Sequence, residues 1–184
     1  MSGLKNLNNH FKITSKLSQV IYISSVYFNY MHEVLDLLNS ANKIFKTSDH
    51  LAYVTYPLVK DNKLIIAITE NLEEAMKKAI EAVLSYDRHY KRIMNIPQDF
   101  QSKLEIFRRS CMPRYNISTN YLNLLKELNE INEARRHSKL EFIRQDKYIL
   151  TQDNFILRTL TYPKVKEYVN TGKSFFEKIN SIIK

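Results

Sequence analysis

The chain has 184 residues, 44% of them hydrophobic, with only two glycines and four prolines. That composition supplies a core, argues against a sandwich, a dinucleotide-binding α/β fold or a glycine-rich phosphate loop, and favours long helices in one domain. The single Cys111 leaves no intrachain disulfide and no cysteine-built zinc site, which suits a reducing, cytoplasmic setting. A formal net charge of +9 points towards a polyanionic partner. Residues 1–60 carry six bases against three acids, 61–112 nine against eight, and 113–184 thirteen against eight. A surplus so spread belongs to a folded basic surface and not to a charged tail.

Residues 1–29 read as an N-terminal extension of uncertain structure. A polar, acid-free start precedes LSQVIYISSVYF (17–28), where helix and strand patterns compete. The uncharged run is too short and too polar to span a bilayer, and no small-residue cleavage site follows, so no membrane partner is expected. Residues 30–184 read as a single helical-bundle domain. In its first part Met31, Val34, Leu35, Leu38, Ala41, Phe45, Ser48 and Ala52 share one side of a helix, which Tyr56-Pro57 is expected to end.

The organising element follows. From Asp61 to Ile93, Ile65, Ile68, Leu72, Ala75, Ala79, Ala82, Tyr86 and Ile93 fall three or four residues apart on one face, widened by Met76, Ile80, Val83 and Tyr90. Glu70, Glu73, Lys77, Lys78 and Glu81 are assigned to the opposite, solvent side. Such a helix would run ~50 Å, and its alanines would let a neighbour approach closely. Only Leu58 to Lys60 separates it from the preceding helix, so the two should form an antiparallel αα-hairpin.

Asn95-Ile96-Pro97 is expected to close the central helix, and 98–112 to form a shorter third one with Phe100, Leu104 and Phe107 inward, broken at Cys111-Met112-Pro113. Ser118 is a candidate N-cap for a helix to about His137 carrying Tyr121, Leu125, Leu128 and Ile131. Between 140 and 160 the period shortens. Phe142, Ile143, Tyr148, Ile149, Leu150, Phe155, Ile156 and Leu157 come in brief runs, the pattern of a β-hairpin or meander inserted in the bundle. Thr161 and Pro163 then start a last helix with Val165, Tyr168, Val169, Phe175, Phe176, Ile179 and Ile182 buried, and Gly172 placed for a close helix contact. The fold class is mainly α, an antiparallel helical bundle with a small β element.

Motifs for catalysis are missing. The five histidines include no i, i+4 pair, so His32 with Glu33 and Asp36, or Asp49 with His50, read as ordinary helix surface. Cys111 beside Met112 and Pro113 reads as a buried core thiol, although Arg108, Arg109 and Arg114 are near it in sequence. No catalytic residue, metal ligand or cofactor is assigned. The basic clusters carry more information: one holds Arg88, Lys91, Arg92, Lys103, Arg108, Arg109 and Arg114, the other Arg135, Arg136, His137, Lys139, Arg144 and Lys147. Guanidinium forks suit phosphate, and Tyr86, Tyr90 and Tyr115 lie nearby for stacking on bases. The bland alternative is that arginines at helix C-termini neutralise free carbonyls. The candidate nucleic-acid contacts are Arg88, Arg92, Arg108, Arg109, Arg114, Arg135, Arg136 and His137.

The stretch DHLAYVTYPLVKDNKLIIAITENLEEAMKKAIEAVLSYDRHYKRI (49–93) resembles the core helical pair of uncharacterised archaeal proteins related to HEPN domains. EFIRQDKYILTQDNFILRTLTYPKVKEYV (141–169) is similar to the β-hairpin and final helix of that group. The resemblance covers about 31–184 and implies an HEPN-like bundle with an RNA or nucleotide partner. Many HEPN domains are RNases whose site is an Arg followed, after four to six residues, by His. Here Arg135-Arg136-His137 is too tight and Arg88-His89 are adjacent. No catalytic residue is therefore carried over. The expected function is non-enzymatic binding of RNA or another polyanion. The alternatives are a protein-interaction or homodimerisation module and a divergent HEPN-type RNase using His137 with Arg135 or Arg136.

Overall fold

The computed structural model describes residues 31–137, 141–144, 147–151 and 157–183; the expectations for 1–29, and Lys139, lie outside them. Helix α1 spans residues 31–59, α2 Lys63–His89, α3 residues 100–115, α4 Asn120–His137 and α5 Tyr162–Ile182. Strands β1 (Glu141–Arg144), β2 (Lys147–Thr151) and β3 (Leu157–Thr161) pair antiparallel in the order β1-β2-β3. The register sets Phe142 opposite Ile149 and Ile149 opposite Thr159.

Helix α2 is the centre, and two interleaved stripes explain why. Ile65, Ile68, Leu72, Ala75, Ala79 and Ala82 form the expected apolar face, all fully buried. One residue further round, Ile66, Thr69, Glu73, Met76, Ile80, Val83 and Asp87 repeat the same alternation of three and four, and all seven are buried too. Two adjoining stripes of this kind occupy most of a helix circumference. The assignment of Glu73 to a solvent face is therefore corrected: it is 3% exposed. Glu70 and Glu81 meet Arg135 and Lys103 from α4 and α3, so the polar side of α2 is where two other helices pack.

Paired contacts give the directions. Ser48 Oγ donates to Ile68 O at 2.9 Å while Glu33 meets Arg88, so α1 and α2 are antiparallel. The αα-hairpin expected from the short connection is present. Asn132 reaches Glu73 and Arg135 reaches Glu70, making α4 antiparallel to α2 as well. Phe45 stacks on Phe176 with ring centroids 4.5 Å apart, and Asn42 bonds Asn180 at 2.8 Å, setting α5 antiparallel to α1. Helix α3 runs with the second half of α2, since Lys103 meets Glu81 and Arg114 meets Asp87. At Gly172 a Cβ would stand 2.7 Å from Leu72 Cδ1, so α5 and α2 approach there as the small residue suggested.

Neither Tyr56-Pro57 nor Met112-Pro113 ends its helix. Each proline is preceded by a widened turn, Leu51–Thr55 in α1 and Phe107–Cys111 in α3, in which Tyr56 N–H donates to Leu51 O and Met112 N–H to Phe107 O. The i→i+5 register relieves the clash that a proline ring makes with the carbonyl four residues back. Pro57 has no N–H for the carbonyl of Ala52, five residues back in this register. The Tyr162 hydroxyl donates to that carbonyl instead, at 2.8 Å. The helices then close at Lys60 and Asn116, both with left-handed φ, 54° and 51°.

Candidate functional site

The central helix stops four residues before the expected Ile93, and its ending builds the site. Lys91 takes φ 56°, Lys91 N–H donates to Arg88 O at 2.9 Å and Arg92 N–H to Asp87 O at 2.8 Å. These are the two bonds of a Schellman ending. In that motif the residues at the positions of Asp87 and Arg92 usually make an apolar contact. Here they form an ion pair, Arg92 Nη1 to Asp87 Oδ1 at 3.3 Å.

Asp87 is fully buried, and donors from α3 converge on it as well. Arg114 Nη1 and the Cys111 thiol donate to Oδ2, the thiol at 3.3 Å, and the Tyr115 hydroxyl donates to Oδ1. Arg92 Nη1 also donates to the Tyr115 hydroxyl at 2.7 Å. A buried carboxylate needs this full complement of donors. Burial and then the bond to Asp87 push the Tyr115 hydroxyl up to about 12, and burial with the Asp87 charge pushes the Cys111 thiol well above the usual thiol range. Cys111 is thus a core thiol tied to a carboxylate and not an activated nucleophile.

The two arginines do different work from the carboxylate they share. Each side chain is about a third exposed, so two cations face solvent over one anion, and among the described residues one positive charge is left uncompensated. Arg92 lies over the Tyr90 ring, 4.9 Å from its centroid, and 5.8 Å from that of Tyr86. Tyr90 is 47% exposed. The group is a braced guanidinium pair beside a half-exposed tyrosine, able to hold an anion without ordering long side chains on binding.

The remaining candidates are placed differently. Arg88 meets Glu33 at 3.4 Å, Arg108 meets its helix neighbour Glu105, and Arg135 meets Glu70 at 2.5 Å. Arg136 and His137 share Glu133. Arg109 is exposed and has no acidic partner among the described residues. The two basic clusters do not merge: Glu70 and Asp87, their anchors on α2, are 17 residues and so ~26 Å apart along the helix. The structure brings together Arg92 and Arg114, leaves Arg109 on the same helix, and separates the α4 set at the far end, where local carboxylates neutralise it. The side chains of Arg144 and Lys147 are not among those described.

Sequence reasoning missed Asp87, the residue that assembles the site. Its signal was available, because Asp87 continues the Ile80 and Val83 stripe at the next four-residue step, where a carboxylate needs partners. A second buried carboxylate carries the same signal. Glu73 accepts from Asn129 at 2.9 Å, Lys77 at 2.5 Å and Asn132 at 2.5 Å, while Thr69 Oγ1 donates to Asn132 Oδ1 at 3.1 Å. Burial alone would raise the Glu73 carboxyl, but Asn132, Lys77 and Asn129 outweigh it and hold the group below its ordinary range. This network joins α2 to α4 with no cation left over.

Among the described residues no group of three or more His, Cys, Asp or Glu side chains is placed to hold a metal ion, and no helix is long and apolar enough to cross a membrane. No family model, curated protein or solved structure matches the chain.

Proposed function

We propose that the protein is a binding module for RNA or another phosphate polyanion, engaged through the Arg92–Arg114 end of the bundle. The observation that carries this reading is the shared carboxylate. Asp87 is buried and holds two guanidiniums at the surface with one charge in surplus among the described residues, beside the exposed Tyr90, and Arg109 lies exposed on the helix that carries Arg114. Guanidinium donors left over from Asp87 match phosphate oxygens, and the half-exposed Tyr90 adds an aromatic contact next to them. The likeness to HEPN-related proteins belongs to the same proposal, as a non-catalytic relative.

Fluorescence anisotropy with a labelled single-stranded RNA, from low to physiological salt, tests it. Affinity should fall steeply with salt, and Arg109→Ala should lower the log–log slope by about one phosphate contact. Absence of salt-sensitive binding by the wild-type chain would refute the proposal.

A further inference from the structure

Seven large apolar side chains are exposed among the described residues, and four of them, Tyr53, Val54, Leu58 and Val59, occupy the last two turns of α1. Leu58 is 80% and Val59 61% exposed, with Pro57 exposed between them and Tyr56. The buried partner of this turn is Tyr56, whose ring stacks on Tyr162 at 4.1 Å and whose hydroxyl bonds Asn62 at 2.7 Å. With Tyr56 turned inward, Leu58 and Val59 are left at the end of the hairpin. This end is remote from the Asp87 site, which lies at the other end of α2.

Lysines ring the apolar tip. Lys60 and Lys63 are exposed on the connection and the start of α2. Lys166 comes from the start of α5. Lys166 Nζ lies 5.0 Å from the Tyr53 ring centroid and 5.7 Å from that of Tyr162. Asp61 accepts from the Lys63 N–H at 2.9 Å, and Glu167 pairs with Lys164 at 3.1 Å, so among the described residues Lys60, Lys63 and Lys166 have no acidic side chain in an ion pair with them. Three cations therefore border the tip.

We infer that this tip docks on an anionic lipid surface, with Leu58 and Val59 entering the headgroup boundary and Lys60, Lys63 and Lys166 at the level of the phosphates. An apolar end framed by snorkelling lysines is the arrangement that lies on a bilayer without spanning it. Absence of a membrane-crossing helix bears on spanning alone, and the inference departs from the sequence expectation of no membrane partner. A second copy of the chain fits less well. Four apolar side chains fall short of the roughly 20–30 residues a side of a stable dimer, and a two-fold contact would set the lysines against one another. Nucleic acid would use the lysines and leave Leu58 and Val59 idle.

Flotation with phosphatidylcholine vesicles, and with vesicles of equal parts phosphatidylcholine and phosphatidylglycerol, tests the inference. The wild-type chain should float only with the anionic vesicles. The double variant Leu58→Ser, Val59→Ser, checked for native circular dichroism and melting, should bind at least about tenfold more weakly. The Lys60→Gln, Lys63→Gln variant should need lower salt to float. Arg109→Ala should float as wild type, which separates this surface from the polyanion site. No flotation, or flotation that the serine variant leaves intact, would overturn the inference, as would a light-scattering dimer abolished by the same variant.

Discussion

Asp87 is held by donors from two helices, so its removal should be felt at both. Asp87→Ala leaves Arg92 and Arg114 without their anion. Orphaning a fully buried charge costs about 3–5 kcal/mol, and because both guanidiniums reach solvent we expect roughly 2–3 kcal/mol by urea denaturation at neutral pH. Lys91 works in the other direction. Its φ of 56° is left-handed backbone that glycine adopts without strain. Lys91→Gly should therefore raise stability by about 0.5–1 kcal/mol while keeping the turn that returns Arg92 to Asp87. A neutral or destabilising result would mean that the Lys91 side chain contributes more than its backbone costs. Glu73 gives a pH signature. Its carboxyl is held below the ordinary range when folded, so its contribution is complete above the unfolded value, near 4.3, and is lost as pH falls through the folded one. Glu73→Gln should be less stable than wild type at neutral pH, and the gap should narrow under acid. A constant gap across that window would contradict the assignment.

At the scale of elements, the widened turn before Pro57 makes a prediction about a pair. Tyr162 supplies to the Ala52 carbonyl the donor that Pro57 lacks. Tyr162→Phe should cost about 1 kcal/mol in the wild-type chain. It should cost less in a Pro57→Ala background, where residue 57 regains an N–H, and a double-mutant cycle with no coupling would show that the two are unrelated. The same turn shows what sequence could and could not reveal. The αα-hairpin was legible because the connection, expected at Leu58 to Lys60 and found at Lys60 to Asn62, is short either way, and the alanine face because Ala75, Ala79 and Ala82 repeat at helical spacing. Gly172 was legible for the same reason on α5. The continuation past Pro57 and Pro113 was not, because a local rule about proline cannot anticipate a five-residue turn that tertiary contacts support. The burial of Glu73 was hidden because charge was read as exposure, although its place in the Ile66, Thr69, Glu73, Met76 series marks a second packed face.

Across the whole molecule the charge is less uniform than a total of +9 suggests. At the α4 end Arg135, Arg136 and His137 are balanced by Glu70 and Glu133. At the Asp87 end two arginines share one carboxylate and Arg109 has no acid beside it among the described residues. The site was only half legible in sequence for this reason. Arginine number pointed to both clusters alike, whereas the surplus depends on which carboxylates fold against them, and Asp87 and Arg114 are 27 positions apart. Position on the molecule, not basic content, should therefore decide where a polyanion binds.

The salt dependence of RNA affinity, compared between two multiply substituted chains, tests that claim most directly. One carries Asp87→Asn, Arg92→Gln and Arg114→Gln, which removes the surplus without stranding a buried charge. The other carries Glu70→Gln, Arg135→Gln and Arg136→Gln, which lowers the net charge by the same one unit at the far end. The account predicts a shallower slope and weaker binding for the first, and wild-type behaviour for the second. Equal losses from both, or a loss confined to the second, would contradict it.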